Sequence, residues 1–308
     1  MATFDPELPR TIVVGVDADG RSDHAVHAAL WLGQRFGARV RLAHAFPVAP
    51  LFWGRHEAMP EWSMGTEAAA AAIQQRLNDT LANAPVELGL SKSIAADALH
   101  VVSGPAAQVI LDEAKATGAE LIVLGSHHKR GLFDFGSTAR GVLAGAPTAV
   151  WVQVEPLRPM RRILVPIDLS DDSLLALARA RDLAHALGAS ISVLNAFLVP
   201  QFGGGMPDTP MSGPFYAVDA LRRSSRDEFE RTVANFDWRG VQHEAHFTDG
   251  DPVEEILRLQ DGHDLIAMGT HGHTGLSAVL LGNVTYSVLR QARTPVLAIR
   301  RPGRSFLT

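Results

Sequence analysis

The run LIAMGTHGHTGLSAVLLGNVTYSVLR at 265–290 holds the residues best suited to chemistry in this chain of 308 residues. A short apolar stretch leads into Gly269 and Gly272, a loop follows, and Gly282 precedes a segment of helical spacing that begins at Asn283 and Val284. Glycines let a backbone approach an anion closely, and the N–H groups and positive dipole end of a helix at 282–284 would then hold it. No lysine is required. The same glycines can instead serve only tight turns, and the spacing leaves both readings open. A strand before and a helix after weigh toward the anion.

Carboxylates and histidines are the other candidates. Asp17 and Asp168 each close a short apolar run, 11–16 and 163–167. General acid–base work would need a second group beside them, and the spacing supplies no second carboxylate, so hydrogen bonding or ligand binding is the better reading. Among thirteen histidines, His243-x-x-His246 falls on an expected strand, where alternation sends the two rings to opposite faces. His271-x-His273 and His127-His128 sit in glycine loops, and no pair has a strong zinc-ligand spacing. A Gly-x4-Gly-Lys-Ser/Thr loop, a Gly-x-Ser-x-Gly elbow and a nucleophile–base constellation are all missing from the sequence.

These residues are carried by a chain written twice. Asp17, Ser22, Gly37 and Phe46 recur as Asp168, Ser173, Gly188 and Phe197, each 151 positions on. Gly104/Gly250, Gly125/Gly269 and Pro147/Pro295 continue the echo at offsets of 146, 144 and 148. A period this long is a duplicated domain, since solenoid repeats run to roughly 20–50 residues. The spacing predicts strands at 11–16, 39–45, 94–102, 121–124 and 148–152, and again at 163–167, 190–196, 241–248, 265–268 and 296–299. Helices are expected at 23–36, 67–84 and from Pro105, then at 173–187, 217–235, 252–260 and 283–291. Strands alternating with helices imply parallel sheets with right-handed crossovers. The expected domains are 1–154 and 162–308, joined by the proline-bearing linker 155–161. Two irregular stretches, 47–66 with Trp53 and Trp62 and 198–216 with Gly203–Gly205, read as lids, partner-binding arms or plain insertions.

Composition excludes several classes. A net charge of −5 gives no footprint for nucleic acid or an anionic membrane. With no cysteine there is no disulfide, thiol catalysis or Cys-ligated zinc. No stretch reaches the ~20 apolar residues of a membrane span. The N-terminus, MATFDPELPR, lacks a signal-peptide core, so a soluble, cytoplasmic protein is expected.

Both halves resemble the universal stress protein family, with its Gly-x2-Gly-x9-Gly-Ser/Thr motif near the end, a first-strand aspartate and Gly-x-Pro before the third helix (Gly250-Asp251-Pro252). The resemblance implies two tandem five-stranded parallel-sheet α/β domains of Rossmann-like, adenine-nucleotide-binding type. It also implies ATP, alone or with magnesium, as ligand in a stress-response role. Residue by residue, Asp168 matches the aspartate that meets the adenosine, and Gly269, Gly272 and Gly282 match the phosphate-loop glycines. Asn283 stands where the family has Ser or Thr; the hydroxyl is lost and the backbone N–H kept. In the first half Asp17, Gly125, Gly136 and Ser137 match, but His128 replaces the second glycine and the loop is two residues shorter. That half reads as a weaker, mainly structural site, with Lys129 and Arg130 either compensating cations or a solvated turn. Related domains pair through their last strands, so 148–152 and 296–299 are expected to pair within the chain, with a further homodimer left open. A nucleotide-free scaffold and a slow ATP hydrolase are the competing readings.

Overall fold

The computed structural model describes residues 8–46, 61–90, 94, 96–125, 136–199, 213–271 and 281–300. The first half runs β1 (Thr11–Val16), α1 (Asp23–Phe36), β2 (Arg39–Phe46), α2 (Glu61–Ala82), β3 (Leu99–Ser103), α3 (Ala106–Thr117), β4 (Leu121–Gly125), α4 (Ser137–Gly145) and β5 (Ala149–Gln153). The second runs β6 (Arg162–Pro166), α5 (Asp171–Leu187), β7 (Ser190–Phe197), α6 (Gly213–Asn235), β8 (His243–Asp249), α7 (Pro252–Leu259), β9 (Leu265–Gly269), α8 (Asn283–Gln291) and β10 (Val296–Ile299).

All ten strands form one sheet in the order β3-β2-β1-β4-β5-β10-β9-β6-β7-β8. Pairing is parallel within each half and antiparallel only between β5 and β10, where Trp151 faces Leu297. The expected pairing of last strands within one chain is therefore present. Because that pairing is antiparallel, the carboxyl ends of the two sets of parallel strands point in opposite directions.

Strands buried on both faces read as continuous apolar runs, and β1, β4, β6 and β9 are of this kind. Their alternate side chains feed two cores. One lies under α1, α2, α5 and α6 and runs across the seam through Trp151 and Leu297; the other lies under α3, α4, α7 and α8. The linker adds to the first core, since Leu157 and Met160 are both buried in it. Each half also clamps its entering chain with a carboxylate. Glu120 accepts the N–H groups of Arg10 and Thr11, and Asp264 those of Arg161 and Arg162.

Three local expectations are corrected. The third strand begins at Leu99, not at residue 94, because Ala96–Ala98 is a 3-10 turn. Pro105 is the N-cap of α3 and not its first helical residue, whereas in the second half Asp251 caps and Pro252 opens the helix. Pro147 and Pro295 are not counterparts. The register Ile122↔Val150 and Ile266↔Val296 makes Val150 equivalent to Val296, so Pro295 matches Ala149. Of the two irregular stretches, 61–66 and 213–216 join α2 and α6, and the greater part lies outside the described residues.

Candidate functional site

In each half the chain steps from the first strand to one side, then crosses back to the other. The carboxyl ends of β1 and β4, and of β6 and β9, therefore flank a topological switch point, where open α/β sheets place ligands. Asp17 follows β1, Gly125 ends β4 and Gly136 precedes α4 at Ser137. Asp168 lies just beyond β6, Gly269 ends β9 and Gly282 precedes α8 at Asn283 and Val284. The fold thus gathers Asp168, Gly269, Gly282, Asn283 and Val284 about one crevice and their first-half matches about another. Gly272, His273, His127, His128, Lys129 and Arg130 lie outside the described residues.

The second crevice is closely tied. Asp168 Oδ1 accepts the backbone N–H of Ser170 at 3.0 Å and also its hydroxyl, while Ser170 Oγ caps α5 by accepting from Ser173 N–H at 3.3 Å. Between them Leu169 adopts the left-handed region at φ 67°, a costly conformation for a branched side chain. A Cβ on Gly269 would stand 2.9 Å from the Asp172 carbonyl oxygen, so glycine here lets the first turn of α5 press onto β9. Gly282 N–H donates to the Thr270 carbonyl at 2.8 Å, and a Cβ there would meet that oxygen at 3.0 Å. Both glycines thus have an internal steric cause. What they leave for a ligand is the start of α8, which a glycine N-cap cannot cover with a side chain.

Four further residues of this crevice escaped sequence reasoning. Thr285 Oγ donates to the Gly269 carbonyl at 2.7 Å and fixes α8 against β9. Asp172, buried in the first turn of α5, lies 3.7 Å from His271 Nδ1, which is 3.0 Å from Thr270 Oγ. Asn195 on β7 donates through Nδ2 to the Ile167 carbonyl at 2.9 Å, just before Asp168. Its Oδ1 is buried and has no hydrogen-bond partner among the described residues. Its first-half match, 151 positions earlier, is His44, whose Nδ1 lies 2.8 Å from the Val16 carbonyl. That offset was the available signal for Asn195; nothing in the sequence marks Leu169 as strained. Arg300, beyond β10, donates to the Ala146 carbonyl at the end of α4 at 2.9 Å. Burial holds its pKa below the usual arginine value, against the opposing pull of Asp172. Arg300 thus spans from the second crevice to the first half.

The first crevice is built differently. Its helix begins at Asp23, and the preceding loop turns through Gly20 at φ 84°. Asp17 Oδ1 accepts Gly20 N–H at 2.9 Å, and Ser22 Oγ accepts the Asp17 N–H at 3.0 Å. Burial first, and the neighbouring Asp19 carboxylate second, push the Asp17 carboxyl above its ordinary pKa. Arg76 of α2 reaches over this loop: a Cβ on Gly20 would meet its guanidinium, which pairs with Asp23 at 2.7 Å. Gly125 repeats the close approach of Gly269, with a Cβ 2.9 Å from the Arg21 carbonyl oxygen.

Among the described residues no group of three or more His, Asp or Glu side chains could hold a metal ion. His243 stacks on Trp238 at 3.8 Å, while His246 faces Glu244 at 3.3 Å, so the pair does point to opposite sides of β8. No described helix is long and apolar enough to cross a membrane.

Known proteins carry the same plan. The model of the Universal stress protein family matches residues 9–153 and again 159–300. A universal stress protein of Methanocaldococcus jannaschii is 32% identical over 148 residues, 47% of this chain and 84% of its own length. One from Mycolicibacterium smegmatis is 25% identical over 307 residues, covering 94% of this chain and 96% of its own. Among solved structures, a universal stress protein from Archaeoglobus fulgidus superposes with a TM-score of 0.63 at 15% identity, over 95% of this chain and 98% of that one.

Proposed function

The chain belongs to the universal stress protein family, and we propose that it binds an adenine nucleotide, ATP, in the second crevice as a regulatory signal. The observation that carries this reading is the juxtaposition at the β6/β9 switch point of Asp168, the uncapped start of α8 and the buried, unmatched Asn195 Oδ1. A buried polar atom without a partner costs about 1–3 kcal/mol, and a ligand donor such as an exocyclic amine would remove that cost. The amides of Asn283 and Val284 suit an anion, so phosphates belong at α8 and the nucleoside toward Asp168 and Asn195. Asn283 retains an amide donor in place of a hydroxyl. Magnesium, if it accompanies the nucleotide, would be held largely by phosphate oxygens and water.

The nucleotide acts by differential affinity: only a ligand that binds one conformation better shifts the chain toward it. Arg300 offers a route for such a shift, since it joins the Asp172 region to the end of α4. The domain limits 1–154 and 162–308, and a cytoplasmic setting, are part of the same reading.

Calorimetric titration of nucleotide-stripped protein with ATP, with and without magnesium, tests it. One site per chain is expected, weakened about ten-fold by Asn195→Ala and lost in Asp168→Ala, with Asp17→Ala unchanged. Absence of heat and of thermal stabilisation at millimolar ATP would instead leave a nucleotide-free scaffold.

A further inference from the structure

Ser192 on β7 is buried, and its hydroxyl meets two side chains. Oε1 of Glu244, its ladder partner on β8, lies 2.7 Å away, and so does Nε2 of His263, in the turn that follows α7. The other ring nitrogen of His263, Nδ1, is 2.8 Å from the Leu259 carbonyl. A carbonyl only accepts, so Nδ1 carries a hydrogen and Nε2 of the neutral ring is a bare acceptor. An ionised Glu244 is an acceptor too. One hydroxyl hydrogen then serves two acceptors, and one of the two contacts lacks a proton. A second proton on His263 completes the line: Nδ1–H to Leu259, Nε2–H to Ser192 Oγ, and Oγ–H to Glu244.

The twin place in the first half has no such shortage. Arg41 stands 151 positions before Ser192, and the registers Leu42↔Leu99 and Val193↔Ala245 make His100 the match of His246. There Arg41 Nε donates to the buried Glu113 carboxylate at 2.9 Å, and His100 Nδ1 meets its other oxygen. Arginine stays charged throughout the physiological pH range, so that link is permanent. Serine brings no charge, and the second half must take its positive charge from a proton.

The charged groups facing His263 are Arg162 at the start of β6 and His246 on β8, which oppose its protonation, and Glu244, which favours it. Asp264, next in the chain, accepts the N–H groups of Arg161 and Arg162. Burial, the largest cause, holds the His263 ring below the ordinary histidine pKa, while the Leu259 bond pulls the other way. Ser192 first, and His246 second, hold Glu244 below the usual carboxylate range.

We propose that the line Leu259–His263–Ser192–Glu244 is a proton-operated latch, which fastens the edge strand β8 to the turn after α7 when His263 takes up its second proton. Burial of the ring is common to the fastened and the released state, so it sets the midpoint and not the direction. What differs is Glu244, whose docked charge favours the imidazolium. Protonation of His263 and docking of Glu244 therefore strengthen each other equally. Released, Glu244 still has His246 at 3.3 Å. The latch lies toward the amino ends of β7 and β8, away from the crevices at the carboxyl ends, and does not depend on a nucleotide.

NMR titration of the full chain, labelled in the histidine rings and the glutamate carboxylates, is the test. At neutral pH His263 should be the Nδ1–H tautomer, and Nε2 should gain its proton at a midpoint below that of an exposed histidine. The Glu244 carboxylate carbon should report a step at the same midpoint, lost in Ser192→Ala. Glu244→Gln, at an exposed residue, supplies the missing hydrogen from its amide and frees Ser192 to donate to neutral His263. In that variant His263 should hold its proton about ten-fold more weakly. Amide exchange at 243–246, corrected for intrinsic rate, should slow through the wild-type midpoint and show no step in Glu244→Gln. An Nε2–H tautomer at neutral pH, an unmoved midpoint in Glu244→Gln, or a Glu244 signal blind to His263 would overturn the proposal. Exchange in β8 that stays flat or quickens through the midpoint would overturn it likewise.

Discussion

The two crevices share a frame and differ in what lines it. In the second, Asp168 accepts hydrogen bonds from Ser170, α5 starts at Asp171, and Thr285 secures α8. In the first, Asp19 replaces Ser170 beside the aspartate, the helix starts at Asp23, and Ala139 stands where Thr285 does. Arg76 then covers the loop that the second half leaves to a strained Leu169. Duplication has kept the residues that let strand and helix touch, Gly125 and Gly269, while the groups that would face a ligand have drifted. Packing constrains a position from several sides at once, whereas a ligand constrains it only while it is bound.

The strongest way to break this comparison is at the shared seam. Trp151→Ala is expected to cost about 3–5 kcal/mol, the usual range for emptying a buried tryptophan site. Because Trp151 lies in a core continuous across both halves, hydrogen exchange should rise in β9 and β10 as well as in β4 and β5. A loss confined to the first half would mean that the halves are independent bodies. Next, Gly125→Ala and Gly269→Ala should each cost about 1–3 kcal/mol in thermal or denaturant melts, since both new methyl groups meet backbone at 2.9 Å. Similar costs would establish the glycines as packing devices; a tolerated Gly269→Ala would return that residue to a ligand role.

The smallest effect concerns protonation. The Asp17 carboxyl titrates higher in the folded chain than in the unfolded one, so the folded state keeps its proton over a window above the ordinary carboxylate pKa. Through that window this group's contribution to stability falls as pH rises. Asp19→Ser copies the second half and removes the second cause of the shift. NMR titration should show the Asp17 pKa moving part of the way down, with the larger contribution from burial remaining. An unmoved titration would remove Asp19 from the account of why the two halves differ.

Much of this was legible in the sequence. Period-spaced glycines and apolar runs located the strands and their duplicated order, the third with its start set five residues early, because each reflects burial on a pleated sheet; the pairing of the last strands was implied by the family resemblance, and its antiparallel sense came from the structure. The aspartates and helix-start glycines were located by the same repeat. Three things were not legible, each for a physical reason. Thr285 acts through side-chain geometry that spacing does not encode, and for Asn195 the 151-residue offset to His44 gives the position but not the buried amide oxygen. Leu169 is held at φ 67° by its surroundings against its own preference. The prolines at 147 and 295 misaligned because a local residue type was read before strand register had fixed which positions face each other.

The seam itself has a further consequence. Two identical domains that pair about a twofold axis must present the same residue to its own copy, so a tryptophan would have to face a tryptophan. Here Trp151 faces Leu297, a large ring against a smaller branched chain. Such a mismatched fit becomes available only when the two surfaces are encoded separately and delivered together. Tethering also replaces a bimolecular equilibrium with an effective concentration of millimolar order, so the pair persists at dilutions that would part separate domains.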